Sequence, residues 1–340
     1  MISEIDLLSG FPAETPVSAA AVAASVAAAD RVLVVLDDDP TGTQSVSDVP
    51  VLTRWEEEDF RWAFRHLVGT RPAPAVYVLT NTRGLEPVDA AARNREVVTN
   101  ALAAAVQTGS RLGFVSRSDS MLRGHYPLEP DVIAATLKEA AGQRTDGVVI
   151  VPAFPDAGRI TVGGVHYMRN GTTLTPVAET EFAKDATFGF RNSELARYVE
   201  EKSSGRFMAA DVTVLDLNTI RGGANLIADA VAGATDSTPI VVDVVTENDL
   251  RALALGLAKA EARGKKLLYR VGPPFVRARI GQEERAPLSR HELFAGTSPA
   301  PRGGLIVAGS HVDLTTRQVQ VLQTDLAPGH GSILVVEGLH

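Results

Sequence analysis

Runs of β-branched and aliphatic residues recur along the chain. They lie at Val32–Leu36, Val76–Leu79, Leu112–Val115, Val148–Val151, Val212–Leu215, Ile240–Val245, Lys266–Arg270, Leu305–Ala308 and Ile333–Val336. Most are continuous rather than alternating, the pattern of strands covered on both faces of a parallel sheet. Helical stretches separate them: Asp89–Gln107, Ser193–Glu201, Gly223–Val231, Glu247–Ala262 and Thr315–Leu326. Alternation of strand and helix predicts an α/β fold, with predominantly parallel sheets and helices on both faces. An Ala-rich run at 18–29 precedes the first strand and reads as a helix packed on the first domain.

Two stretches break the pattern. Pro152–Ala186 is rich in Gly, Pro and Thr and has no helical period, which predicts a long functional loop. Residues 281–304 end in a Pro/Gly/Ser-rich run, a linker signal, and a strand is expected at once from Leu305. The expected organisation is therefore two domains, 1–300 and 301–340, in keeping with a length of 340 residues.

Composition narrows the class. Hydrophobic residues make up 45% and charged residues 22%, which excludes a largely disordered chain. A net charge of −8 disfavours a nucleic-acid surface. The absence of cysteine removes disulfides and thiolate metal sites, and it fits the cytoplasm. Glu4, Asp6 and Glu14 precede the apolar run at 18–29, where a signal peptide would be basic, and the run is shorter than the ~20 residues of a membrane span. The expectation is a cytoplasmic protein with neither membrane nor nucleic-acid partner and with room for a homo-oligomer.

In open parallel sheets, ligands bind beyond the carboxyl ends of strands. The first strand runs into Asp37, Asp38, Asp39, Pro40, Thr41 and Gly42. Three adjacent carboxylates need a cation or donors nearby, so this turn is a candidate for holding Mg²⁺, accepting a proton or bonding sugar hydroxyls. The bland alternative is a solvated acidic turn. The second strand leads to Asn81, Thr82 and Arg83; the third leads to Ser116, Arg117, Ser118, Asp119, Ser120, Met121, Leu122, Arg123, Gly124 and His125. Two arginines, an aspartate and three serines suit an anionic, hydroxyl-rich ligand, because guanidinium matches a carboxylate or phosphate bidentately. After the fourth strand come Arg159, His166 and Tyr167, for which a salt bridge or packing is an equal reading. Gly309 and Ser310 stand between a strand and a helix start, a turn that favours phosphate. No P-loop, dinucleotide glycine motif, nucleophile elbow or H-E-x-x-H pair occurs.

Four segments together resemble the four-carbon acid sugar kinase family. Asp38-Asp39-Pro40-Thr41-Gly42 is similar to its D-D-x-T-G opening, and Asp119 through Gly124 to its D-S-T-L-R-G segment. Pro152-Ala153-Phe154-Pro155 with Gly158-Arg159, Gly164 to Tyr167 and Thr180 to Asp185 is similar to its P-A-F-P…G-R…G-x-x-Y…T-x-F-x-x-D stretch. Gly309-Ser310 is similar to the start of its nucleotide-binding domain. The resemblance implies an ATP- and Mg²⁺-dependent kinase that phosphorylates the 4-hydroxyl of a small-molecule sugar acid. In this reading Asp38 and Asp39 are catalytic. Arg83, Asp119, Ser120, Arg123, Gly124 and Arg159 contact the sugar acid, and Gly309 and Ser310 the nucleotide. Met121 stands where the family usually has Thr, and Ser116 and Arg117 where many members have lysines. The family's later G-G-x-T-S segment is absent, so residues 301–340 are expected to form an incomplete nucleotide domain with weak ATP binding. Two other readings are a haloacid-dehalogenase-type phosphatase, from Asp37-x-Asp39-x-Thr41 with Asp243, Glu247 and Asp249 downstream, and a non-catalytic sugar-acid sensor.

Overall fold

The computed structural model describes residues 2–286, 288–293, 306–308 and 313–325. The chain divides into two units, 1–285 and 286–340. In the first, eight strands form one sheet: β1 (Val32–Asp37), β2 (Val51–Leu52), β3 (Ala75–Leu79), β4 (Leu112–Arg117), β5 (Gly147–Val151), β6 (Thr213–Leu215), β7 (Thr238–Val242) and β8 (Leu267–Val271). Their order is β6-β7-β5-β8-β4-β1-β3-β2, and every pairing is parallel. The seven strands expected up to Arg270 all lie in this sheet.

Besides the short N-terminal helix Glu4–Leu8, the helices of this unit are α1 (Ala19–Ala29), α2 (Glu57–Arg65), α3 (Pro87–Thr108), α4 (Leu128–Ala141), α5 (Leu195–Lys202), α6 (Leu217–Arg221), α7 (Ala224–Ala230), α8 (Glu247–Ala262) and α9 (Pro273–Arg279). Because side chains alternate along a strand, each strand feeds two cores. Val34, Leu36, Val76, Val78, Phe114 and Ile150 pack with α2 to α5 on one face. Leu33, Val35, Tyr77, Val115, Val149 and Tyr269 pack with α6 to α9 on the other. Helix α3 shows why: its buried positions Ala90, Asn94, Val97, Val98, Ala101, Ala104 and Ala105 form a single stripe, and Gly109, at φ 70°, caps it. Each fully buried valine on that stripe contributes roughly 1.5–3 kcal/mol.

The stretch Pro152–Ala186 is not a loop. Arg159–Val162, Val165–Asn170 and Thr173–Pro176 form an antiparallel sheet, edged by Ile2–Ser3. Its Gly and Thr content, which reads as irregular, serves tight turns: Gly163 and Gly164 (φ 60° and 75°) close the first hairpin, a two-residue turn that needs left-handed backbone at both positions. Both glycine amides donate to the buried carboxylate of Asp243, at 2.7 and 2.8 Å. A backbone bridge between Thr161 and Val244 adds a second tie to the end of β7.

In the second unit, Arg290–Leu293 and Asp313–Asp325 are helical. The strand expected at Leu305–Ala308 is not formed over residues 306–308, which are exposed and have no strand partner among the described residues. The strand expected at Ile333–Val336 lies outside the described residues.

Candidate functional site

From β1 the chain moves to β2 and β3 on one side, then returns across β1 to β4 on the other. The carboxyl ends of β1 and β4 therefore flank the point where strand order reverses, the place where such sheets open a crevice. Asp37 to Asp39 and Arg117 to Asp119 stand there.

Alternation splits the three aspartates between the faces. Asp37 points with Arg117 toward the α9 side; both are buried, and the guanidinium Nε donates to Asp37 Oδ1. Arg117 also donates to the backbone carbonyls of Asp39 (2.8 Å) and Ser118 (3.1 Å). Gly42 lies against this pair, since a Cβ there would collide with the Asp37 carboxylate and Arg117. Burial pushes the Asp37 carboxyl up to about 7, with Arg117 opposing it. Asp38, also buried, points to the other face. Arg83 grips it bidentately, Nη2 to Oδ1 at 2.7 Å and Nε to Oδ2 at 3.2 Å, while Nη1 reaches Asp39 Oδ2 at 2.9 Å. Burial raises the Asp38 pKa against the pull of Arg83 and Arg117. Asp39 is the most open of the three, its side chain 25% exposed. Burial alone would raise its pKa, but the Thr41 hydroxyl and amide and Arg83 outweigh it and hold it low. Arginines 83 and 117 thus supply the positive charge that the acidic turn requires.

Behind Arg83 lies a network that the sequence reading missed. Glu129, in the first turn of α4, accepts from Thr82 Oγ1 (2.5 Å), Ser116 Oγ (3.1 Å) and Arg270 Nη1, and Arg270 Nη1 also donates to Ser116 Oγ (2.7 Å). Arg270 is the last residue of the expected run Lys266–Arg270 and the next to last of β8, so it reads as a strand end; Glu129 lies on a helix absent from the expected elements. The available signal was an arginine within the otherwise apolar Leu267–Val271.

The third group is the Asp119–Gly124 loop. Arg123 Nε donates to Asp119 Oδ2 at 2.6 Å, and its guanidinium lies over the Phe182 ring, 5.1 Å from the centroid. The Ser120 carbonyl accepts from His166 Nε2 at 2.8 Å, so His166 Nδ1 accepts from Thr161 at 2.9 Å. Burial drives the His166 pKa down to about 4, which keeps the ring neutral. Arg159, on the first strand of the small sheet, donates to the Ala157 carbonyl (2.6 Å), while its buried Nε has no partner. Gly124, at φ 109°, lies where a side chain would press on both Asp38 and Arg270. A pocket opens among Ser118, Asp119, Leu122, Arg123, Tyr126, Ile150, Pro152, Tyr198 and Arg270.

The structure thus gathers Asp38, Asp39, Arg83, Asp119, Ser120, Arg123 and Gly124 around one edge, with Arg159 beside them: Asp119 and Arg123 are the charges that most affect it after burial. Arg83 is engaged with Asp38 and Asp39. Met121, where the family has a hydroxyl, is buried in the core, so that departure does not face the pocket. Gly309 and Ser310 lie outside the described residues. The phosphatase reading has little geometric support: Asp37 is sealed by Arg117, and both Asp243 oxygens are taken by the Gly163, Gly164 and Leu217 amides. Among the described residues no trio of acidic or imidazole side chains is arranged to hold a metal ion, and the three aspartates are engaged by arginines. No described helix is long and apolar enough to cross a membrane.

Comparison with known proteins agrees with this architecture. A D-erythronate kinase of Heliobacterium modesticaldum is 27% identical over 73% of this chain and 50% of its own length. A D-threonate kinase of Cupriavidus necator is 29% identical over 72% of this chain and 52% of its own length. The chain therefore spans about half the length of these curated relatives. Among solved structures, a domain of unknown function from Bordetella bronchiseptica, with bound citrate and as a domain-swapped dimer, superimposes with a TM-score of 0.53 at 23% identity, over 74% of this chain and 56% of that one. A Haemophilus influenzae protein gives 0.52 at 17% identity, over 86% and 65%. Both share the fold. Residues 33–279 match the family model described as the sugar-binding N-terminal domain, and with most of its length covered, this chain belongs to that family.

Proposed function

We propose that this chain forms the sugar-acid-binding part of an ATP-dependent kinase that phosphorylates the terminal 4-hydroxyl of a four-carbon sugar acid. The observation that carries the reading is the edge of the parallel sheet, where Asp38 and Asp39 stand beside a pocket lined by Asp119 and Arg123. The relatives named D-erythronate kinase and D-threonate kinase support it.

In this proposal Arg123 takes the substrate carboxylate, and Arg159, whose Nε lacks a partner, adds positive charge beside it. Arg83 orients Asp38 and Asp39 rather than the ligand. One of these aspartates accepts the hydroxyl proton as the phosphoryl group arrives. Asp38 is the stronger base, and Asp39 is the more accessible. Asp119 and Ser120 bond sugar hydroxyls. Phosphoryl transfer depends mainly on positioning and charge stabilisation. ATP enters as co-substrate with Mg²⁺. The nucleotide contacts proposed for Gly309 and Ser310 rest on the sequence.

Calorimetry with erythronate, threonate and 3-oxo-tetronates, with and without Mg-ATP, tests the reading. Saturable binding of at least one tetronate is expected. If none binds at millimolar concentration, the site does not recognise four-carbon acids.

A further inference from the structure

We propose that Arg270 is a second carboxylate-binding arginine of the sugar-acid pocket, facing Arg123 across it. The inference rests on the reading of the site given above and adds a residue to it.

The argument begins with the donors. Arg270 is buried at the carboxyl end of β8, one of the two strands flanking β4. Its two side-chain hydrogen bonds, to Glu129 and Ser116, both leave from Nη1. Nη2 lies against Gly124, 2.9 Å from the place a Cβ there would occupy. Arg270 lines the same pocket as Arg123. Arg123 in turn uses Nε on Asp119, and its nearest other carboxylate, Asp185, is 4.0 Å from Nη1. Arg123 and Arg270 therefore line one narrow pocket, each held by its own carboxylate. A ligand carboxylate has two oxygens, and two pre-oriented cations match it without a rotamer search.

The arrangement also explains two sequence features. Gly124 is required where it stands, because any side chain would press on Arg270 and Asp38. Ser116, where many family members carry lysine, is small and accepts from Arg270; a lysine there would bring a second cation against the same Glu129.

A paired substitution makes the idea testable. Arg270→Gln alone leaves Glu129 as a buried, unpaired carboxylate and risks the fold. The double variant Glu129→Gln/Arg270→Gln removes both charges together, so that no buried carboxylate is left without its cation, although it shortens the side chain at 270. The experiment measures, by calorimetry, the affinity of wild type, Arg270→Lys and the double variant for the best tetronate and for its neutral amide, with thermal melts as the folding control. If Arg270 meets the carboxylate, wild type prefers acid over amide, the double variant loses at least tenfold of that preference, and Arg270→Lys keeps part of it. A role confined to holding the fold would lower both affinities alike and leave the preference intact, which overturns the proposal. If wild type binds no sugar acid at all, the functional reading falls and this one with it. If wild type binds and the double variant binds equally well, Arg270 alone is misassigned.

Discussion

At the scale of single residues, the site depends on which charges are already spent. Arg83 and Arg117 neutralise the acidic turn, so Asp38→Asn and Asp39→Asn should act on chemistry more than on binding. The expected loss is about 10²–10⁴ in kcat for whichever aspartate is the base, with KM for the tetronate changed little. Near-full kcat in both variants would move the base to Asp119. Arg123→Ala should cost roughly 2–4 kcal/mol of tetronate binding; kcat/KM and affinity both within twofold of wild type would remove Arg123 from the carboxylate. His166 gives a prediction in pH. Its folded pKa of about 4 lies below the ordinary 6.5 because burial disfavours the imidazolium. Between those values the unfolded chain binds a proton that the native state refuses, so stability is lost as pH falls from 6.5 to 4, by roughly 3 kcal/mol. Asp37 and Asp243, raised to about 7 and about 6, drive the opposite slope. The prediction therefore concerns the difference between wild type and His166→Gln in urea unfolding: wild type should lose its advantage across that window. A difference that stays flat with pH would mean that the ring titrates alike in the folded and unfolded states, with no depression by burial. Much of the site was legible in the sequence because its acids and arginines follow strands directly. Arg270 and Glu129 were not, since their meaning lies in a contact between β8 and α4, far apart in the chain.

At the scale of elements, packing competes with propensity, and magnitudes decide the outcome. Gly256 interrupts the 16-residue helix α8, where alanine would gain about 1 kcal/mol. A Cβ at Gly256, however, would lie 2.4 Å from Cβ and Cγ2 of Ile227 on α7. Ile227 is fully buried and stiff at χ1, so it yields poorly. Overpacking costs about 1–3 kcal/mol, and Gly256→Ala is expected to be net destabilising by about 1 kcal/mol, measured by urea unfolding. A stabilised variant would show that α7 moves freely against α8. The same competition explains what sequence reading recovered. β1, β3, β4, β5, β7 and β8 announce themselves because strands covered on both faces are apolar up to their carboxyl ends. α8 coincides with the expected Glu247–Ala262, and Thr246 and Asp249 form a capping box that fixes its start. β2 has two residues and no pattern to detect. The small antiparallel sheet hides because its strands are short and its glycines look like loop, although they make hairpin turns.

At the scale of the whole molecule, residues 2–12 brace the small sheet that presents Arg159 and His166 to the site. Ile2 and Ser3 pair with Leu174 and Thr173, and the Glu4 amide donates to Thr172. The Glu4 carboxylate takes Arg169 bidentately at 2.7 and 2.6 Å. Leu7, Leu8 and Phe11 pack on Ile160, Val162, Tyr167 and Leu174, the third hydrophobic cluster. Arg221 donates to the Pro12 carbonyl, which ties the segment to α6. The three half-buried apolar side chains contribute roughly 1 kcal/mol each, and the partly exposed ion pair adds about 1 kcal/mol or less. Deleting residues 2–12 should therefore remove about 3 kcal/mol from a margin that is typically about 5–15 kcal/mol, leaving the chain folded but with a clearly lower Tm. The ligand effect should be larger than a uniform loss of stability predicts. His166 holds the Ser120 carbonyl and Arg159 stands beside Arg123, so loosening this sheet loosens two supports of the pocket while the parallel sheet stays intact. Calorimetry on the deletion variant at a temperature well below its Tm separates the effects. Tetronate affinity reduced severalfold in a fully folded sample is the expected result. Unchanged affinity with a lowered Tm would show that the small sheet holds its place at the site without the N-terminal brace.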